Sequence, residues 1–383
     1  MKARYQFRFY PTNQQQQSLS RLFGCVRVVW NDALALCKQS EKKPKSAELQ
    51  KIVITQAKQT EERAWLSEVS SIPLQQSVAD LETAFKNFFE SCKGKRKGRK
   101  VGYPRFKKRT NSQSARLTRN GFSIKGDGVY LAKIGVVQPI WSRQLPSDPS
   151  SATIIKDCAN RYFLSFVVEI NPDIVEAKNH SIGIDLGIKT FAVMSDGTSA
   201  QSPSYKQLDR KIRKLQRKLA RQPKDSKRRN KTRIQIAKLH NQIADTRKDF
   251  LHKLSTKIVN DNQVIVLEDL NVFGMVKNRK LSRAISQQGW YEFRALCEAK
   301  SEKFGREFRV ISRWEPTSQI CSDCGFRWGK LDLKIRSVQC LNCGTEHDRD
   351  ENAAKNINKV GIGHFHDYKR TQREDKTTCG TSR

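Results

Sequence analysis

The stretch Ser181–Gly197, SIGIDLGIKTFAVMSDG, decides the fold. It holds two apolar runs, Ile182–Leu186 and Phe191–Met194, joined through Gly187, and reads as two strands in a hairpin. Asp185 closes the first run. An acid at a strand end is often only a turn residue, so its meaning depends on the rest of the chain. Downstream, helical spacing places Leu208, Ile212, Leu215 and Leu219 on one face over 205–220. Leu239, Ile243, Phe250, Leu254 and Ile258 do the same over 227–258. The opposite faces are densely basic. A charged helical hairpin is a common solvated device, but the excess of one sign here argues against simple salt-bridged solubility. QVIVLEDL, 263–270, is a buried strand that again ends on an acid, Glu268. A helix over about 284–303 and the strand FRVISRW, 308–314, complete an α/β alternation.

Upstream the texture differs. Asn171–Asn179 reads as a polar linker. Between 115 and 170 lie short β-type runs separated by Gly, Asp, Asn and Pro, predicting a small antiparallel barrel or sheet. KARYQFRFY, 2–10, is a strand available to join it, and Pro11 ends that strand. Thr12 with Gln15 resembles a capping box, and Leu19, Leu22, Phe23, Val26, Val29, Trp30 and Ala33 follow helical spacing. A second, polar helix is expected over 46–62. A third carries Leu74, Val78, Leu81, Phe85 and Phe88, with Pro73 near its start. Residues 12–92 therefore form a helical insertion after a first strand.

Lys and Arg number 73 against 38 Asp and Glu, a formal charge of +35. A polyanion must neutralise such an excess, and nucleic acid is the expected partner. Anionic membrane is the rival, but mean hydropathy is −0.69 and no apolar run approaches a membrane span. The N-terminus lacks the apolar core of a secretory signal. Six of the ten cysteines (Cys25, Cys37, Cys92, Cys158, Cys297, Cys379) are scattered, which fits a reducing, cytoplasmic compartment. Ten of the 18 residues of KGKRKGRKVGYPRFKKRT, 93–110, are basic. Such a run is often a solvated linker. Here Tyr103 and Phe106 offer ring faces that could stack on bases or pack locally, so Lys95, Arg96, Arg99, Tyr103, Arg105, Lys107 and Lys108 are candidate nucleic-acid contacts.

Cys321-x2-Cys324 and Cys340-x2-Cys343 are separated by 15 residues, a zinc-ribbon spacing. Four thiolates suit tetrahedral Zn²⁺ in a closed, structural site. His347 is then surplus to the set and reads as a surface or capping side chain. Asp350 opens DENAAKNINKV, a predicted helix. Asp348, three residues before Glu351, reads as that helix's cap. Asp269 and Asp196 read as solvent or turn residues. Asp185, Glu268 and Asp350 thus stand at two strand ends and a helix start. Such acids can hold two Mg²⁺ ions about 3.5–4 Å apart, which clamp the attacking and leaving oxygens of a phosphodiester.

GIDLGIKTFAV, VIVLEDL, PTSQICSDCG and CGTEHDRDENAAKNI, in that order, resemble the transposon-encoded TnpB family of RNA-guided DNA endonucleases, relatives of the type V CRISPR effectors. FRFYPTNQQ, VWNDAL and GYPRFKKR resemble its N-terminal half, so the likeness covers about 1–358. It implies an RNase H-like RuvC nuclease (179–316, with its last helix at 347–360) interrupted by a zinc ribbon at 317–346. It implies a β-barrel-type wedge (1–11 and 93–178), a helical recognition lobe (12–92), and a polar tail, 361–383, expected to be disordered. Asp185, Glu268 and Asp350 would be the metal-binding catalytic acids. Gln75 and Thr118 would be among the residues that read a short motif beside the target. The implied partners are a guide RNA from the element's end and double-stranded target DNA, bound by a monomer. Two alternatives stay open: an RNA-guided repressor that binds without cutting, and an RNA-independent, structure-specific nuclease.

Overall fold

The computed structural model describes residues 1–96, 100–171, 176–332 and 334–363. The chain divides into two compact units, residues 1–171 with 224–237, and residues 172–223 with 238–383.

In the first unit, β1 (Lys2–Phe9) is followed by α1 (Asn13–Gln39), α2 (Ser46–Gln50) and α3 (Ser71–Cys92). Then come β2 (Gln113–Thr118), β3 (Phe122–Lys125), β4 (Gly128–Leu131), β5 (Gly135–Val137), β6 (Ser151–Lys156) and β7 (Tyr162–Glu169). An antiparallel sheet has the order β1-β7-β6-β2, and a smaller one the order β3-β4-β5. The first strand thus pairs with the last of its unit, Phe7 opposite Leu164. This placement buries Phe7 and Phe9 in one core with Leu164 and Phe166 of the sheet and Val26, Leu74, Val78 and Leu81 of the helices.

The helix α1 follows its sequence closely. Thr12 and Gln15 form the reciprocal capping box, Thr12 N donating to Gln15 Oε1 at 3.0 Å and Gln15 N to Thr12 Oγ1 at 3.3 Å. Its buried stripe is the predicted one. The expected helix over 46–62 is not continuous. α2 passes into a wider turn over 51–56 and a tight one over 57–59. There the Thr60 hydroxyl donates to the Ala57 carbonyl at 2.8 Å, a local bond that competes with helix propagation.

The second unit holds β8 (Asn179–Leu186), β9 (Ala192–Met194), β10 (Ser199–Ala200) and α4 (Lys206–Ala220). They are followed by α5 (Lys227–Asp261), whose residues from 238 belong here, and β11 (Asn262–Glu268). The chain continues through α6 (Val272–Met275), α7 (Ser282–Gln288), α8 (Trp290–Phe304) and β12 (Glu307–Ile311). It ends with β13 (Ser337–Gln339), β14 (Glu346–Asp348) and α9 (Arg349–Ile362). The sheet order is β10-β9-β8-β11-β12. The β8–β9 hairpin is antiparallel, while β8, β11 and β12 run parallel.

The helix expected over 284–303 is broken at Gly289, which takes the left-handed conformation at φ 76° between α7 and α8. The strand expected to reach 314 stops at Ile311, where Ser312–Glu315 turns away (Glu315 N to Ser312 O, 3.1 Å). α9 lies against the sheet at two glycines. A Cβ on Gly183 would stand 2.5 Å from Asn358 N, and one on Gly361 would meet the Val266 side chain. α9 runs two residues beyond the expected end at 360 and is capped by Gly363 at φ 94°. The remainder of the expected tail, 364–383, lies outside the described residues.

Candidate active site and metal knuckle

Parallel pairing aligns Ile184 with Leu267, so the next residues, Asp185 and Glu268, stand side by side at the carboxyl ends of adjacent strands. Open α/β sheets present their ligand sites at that end. Asp350 arrives from the first turn of α9. Asp348 caps that helix, accepting from the amides of Asp350 at 2.9 Å and Glu351 at 3.0 Å. Glu351 does not reach back to the cap but pairs with Lys355 at 2.9 Å. Asp348 is therefore used structurally and Asp350 is left to face the strands.

Burial, with the charges of Asp350 and Glu268 added, pushes the Asp185 carboxyl up to about 7. Burial also raises Glu268, helped by the neighbouring Asp269. Among the described residues no lysine or arginine pairs with Asp185 or Glu268. Arg349 offsets part of the repulsion on Asp185 without pairing with it, and partly buried acids with no direct cation fit a divalent ion with hard oxygen ligands. Asp350 alone is neutralised, by Arg336, whose Nη1 donates to Oδ1 at 3.1 Å and Oδ2 at 2.9 Å. Sequence reasoning missed Arg336, which lies inside the ribbon with no local pattern to mark it.

Asp269 is not the solvent or turn residue expected. It receives Arg294 at 2.7 Å and Arg313, whose Nε lies at 3.0 Å. Hydrogen bonds from Arg313 and Arg294 hold its carboxyl below the usual range. Asp196 is a turn residue as read, accepting from Thr198 N at 2.9 Å.

The two knuckles meet. Sγ atoms of Cys321, Cys324, Cys340 and Cys343 all lie within 4.8 Å of one another, the one set among the described residues that does so. The Cys324–Cys340 and Cys321–Cys343 separations are 3.5 and 3.7 Å. A tetrahedron with Zn–S bonds near 2.3 Å has edges of about 3.8 Å, so the residues fit zinc. Hydrogen bonds with Thr345 lower the Cys343 thiol, while burial raises that of Cys321. His347 is not at the surface as expected. It is buried on β14, and its Nε2 lies 3.1 Å from Cys321 Sγ. The antiparallel pairing of β13 with β14, Val338 opposite His347, turns that side chain inward.

Residues 165–279 match the family model described as "Probable transposase" (OrfB of IS605), and residues 290–357 match "Cas12f1-like, TNB domain". Residues 1–45 match a "Helix-turn-helix domain", although here they form β1 and α1. A Streptomyces pristinaespiralis protein named "Putative RNA-guided DNA endonuclease" is 42% identical over 100% of this chain and 95% of its own length. Escherichia coli (strain K12) InsQ, which carries the same description, is 30% identical over 93% of this chain and 92% of its own. This chain belongs to the TnpB family. The solved Cas12f1–sgRNA–target DNA complex shares the fold at 14% identity, with a TM-score of 0.51 over 90% of this chain and 81% of that one.

The basic segment of this TnpB-family chain is partly used for packing. Trp30 Nε1 donates to Arg105 O at 3.0 Å, and Lys107 N donates to Asn31 Oδ1 at 2.8 Å. The Lys107 ammonium sits 3.9 Å from the Trp30 ring centre, and burial lowers its pKa. Tyr103 meets Phe85 and Phe88 edge-on at 5.3 and 5.4 Å. Lys107 and Tyr103 therefore anchor the segment, while Lys95, Arg96, Arg105 and Lys108 are exposed. Arg99 lies outside the described residues. Gln75 is exposed on the first turn of α3, and Thr118 is half-buried at the end of β2. A second basic surface opens between α4 and α7. It is a groove of about 470 Å³ lined by Lys206, Arg210, Arg213, Lys280 and Arg283. Asp209 holds it in shape by accepting from Arg283 at 2.6 Å and Gln287 at 2.9 Å.

Proposed function

We propose that this chain is an RNA-guided DNA endonuclease that cuts double-stranded DNA beside a short motif, at a RuvC-type site formed by Asp185, Glu268 and Asp350. The observation that carries the reading is the register that sets Asp185 beside Glu268 at the carboxyl ends of β8 and β11, with the Asp350 charge from α9 acting on Asp185. In this reading the three carboxylates would hold two Mg²⁺ ions, which would supply an activated water and charge stabilisation for the departing oxygen of a phosphodiester. Asp185 and Glu268 are set by the strand register, while Asp350 would have to release Arg336 to take an ion. The Arg336 guanidinium supplies positive charge at Asp350 and lies within reach of a phosphate brought to that acid.

Sequence choice is delegated to base pairing with a guide RNA, and the protein holds the heteroduplex by backbone charge and shape. The exposed cations of 93–109 and of the α4–α7 groove suit that role. In the same reading the sheets of the first unit form the wedge and α1–α3 the recognition lobe, with Gln75 and Thr118 near the adjacent motif. The complex acts in the cytoplasm as one protein on one RNA. The likeness to relatives named for this activity supports the reading.

The test is to purify the protein from cells that carry its flanking DNA, sequence the bound RNA, and challenge the complex with a plasmid library and Mg²⁺. A discrete RNA ending at the element boundary, with cutting abolished by Asp185→Ala, is the expected result. Specific binding without cutting would make the chain a repressor. Cutting of branched DNA with no discrete RNA would make it an RNA-independent nuclease.

A further inference from the structure

We infer that His347 is a positioning residue of the metal knuckle, donating its Nε2 proton to the Cys321 thiolate in the zinc-loaded protein. The inference rests on the zinc reading of the four cysteines. Cys321 is 1% exposed, so water cannot solvate the charge its sulfur carries when it binds a metal. A buried anion needs donors from the protein, and outer hydrogen bonds to metal ligands fix their position and tune their affinity. His347 is 5% exposed and points a ring nitrogen at that sulfur from 3.1 Å. The ring is held in place by Trp328, whose centroid is 5.9 Å away at 46°. Four sulfurs already complete the tetrahedron, so the imidazole acts on a ligand instead of on the metal.

The same contact links the knuckle to the acid centre. His347 immediately precedes Asp348, the cap of α9, which carries Asp350. Two further buried side chains of α9 grip the first knuckle. Asn352 accepts from Ser322 N at 2.7 Å and donates to Ile320 O at 2.8 Å. Asn356 donates to Ile320 O at 2.7 Å. Zinc held at Cys321 therefore stiffens the strand–helix junction that delivers Asp350.

The experiment uses the full chain and measures zinc, not cutting. Zinc content per chain is determined first, then the affinity by competition with a chromophoric chelator, for the wild type and three variants. His347→Ala removes the donor. His347→Phe removes the donor but keeps a ring against Trp328, so it remains informative if the alanine variant misfolds. His347→Gln restores an N–H donor. Affinity should fall about 10- to 100-fold in the alanine and phenylalanine variants and recover in the glutamine variant. The Co²⁺-substituted protein should keep a four-sulfur spectrum in every variant. Wild-type affinity in His347→Phe would overturn the inference. So would a Co²⁺ spectrum showing one nitrogen ligand in the wild type that is lost on substitution. A wild-type chain without zinc would overturn the zinc reading itself, and the inference with it.

Discussion

At Asp350 a single guanidinium nitrogen of Arg336 reaches both carboxylate oxygens. A cation there competes with any divalent ion that needs the same oxygens. The pair is solvent-exposed on the Arg336 side, which limits it to about 0.2–1 kcal/mol. Arg336→Ala should therefore tighten Mn²⁺ binding at the proposed acid centre by up to about fivefold, read by electron paramagnetic resonance titration. Unchanged or weaker binding would show that Arg336 does not compete. Asp185 allows a second test, by pH. Its carboxyl is raised from 3.8 to about 7 in the folded chain. The folded state holds a proton that the unfolded state releases, so the contribution is full below about 4 and is lost as pH rises through 7. Asp185→Asn cannot titrate. In magnesium-free buffer without chelator, which would strip zinc, it should raise stability at pH 8 by at most about 4 kcal/mol, and not below pH 4. Urea midpoints at the two pH values check this, and equal gains at both would refute it. The placement of Asp185, Glu268 and Asp350 was legible because each closes an apolar run or opens a helix. Arg336, His347 and Asp269 were missed or misread because their partners come from distant parts of the chain.

At the scale of elements, two glycines of opposite consequence show how backbone approach sets the site. Gly183 lies two residues before Asp185 on the same face of β8, and a Cβ there would stand 2.5 Å from Asn358 N and 2.7 Å from Asn358 Cβ. The obstacle includes helix backbone, so α9 must shift to admit a methyl group. Gly183→Ala should lower stability by about 1–3 kcal/mol and weaken divalent-ion binding with it, because Asp350 rides on α9. Gly24 lies within α1 with nothing inside 4 Å of its hypothetical Cβ. Gly24→Ala should raise stability by about 0.5–1 kcal/mol through helix propensity and leave metal binding alone. Urea denaturation and Mn²⁺ titration of both variants separate the two effects, and equal signs would defeat the argument. α1 was readable because periodicity and capping box agree locally. The break at Gly289 was not, since it is set by contact: a Cβ there would lie 3.1 Å from Leu251 Cδ1 and 3.2 Å from Arg247 Cδ. β1 could be named a strand, but its pairing with β7 joins residues about 160 apart and rests on burial of Phe7 and Phe9.

At the scale of the whole chain, a charge of +35 makes a polyanionic partner the simplest neutraliser, and this was legible from composition alone. Composition did not say which cations are available. Packing withdraws Lys107 to the Trp30 ring, while the α4–α7 groove gathers five cations from two separate segments. Arg283 is tied to Asp209 and shapes the groove, which leaves Lys206, Arg210, Arg213 and Lys280 as the cations proposed to meet phosphate. Each cation that displaces a counterion from duplex DNA adds about 0.9 to the slope of log affinity against log salt. Changing these four to Gln, with Arg283 and Asp209 kept, should weaken nucleic-acid binding whatever the sequence and flatten that slope by at most about 3.6. Fluorescence anisotropy across a salt series, with two unrelated duplexes, measures both. An unchanged slope would place the phosphate path elsewhere on the molecule. A loss confined to one sequence would mean that the groove reads bases, where its lysines and arginines are here expected to see only the backbone.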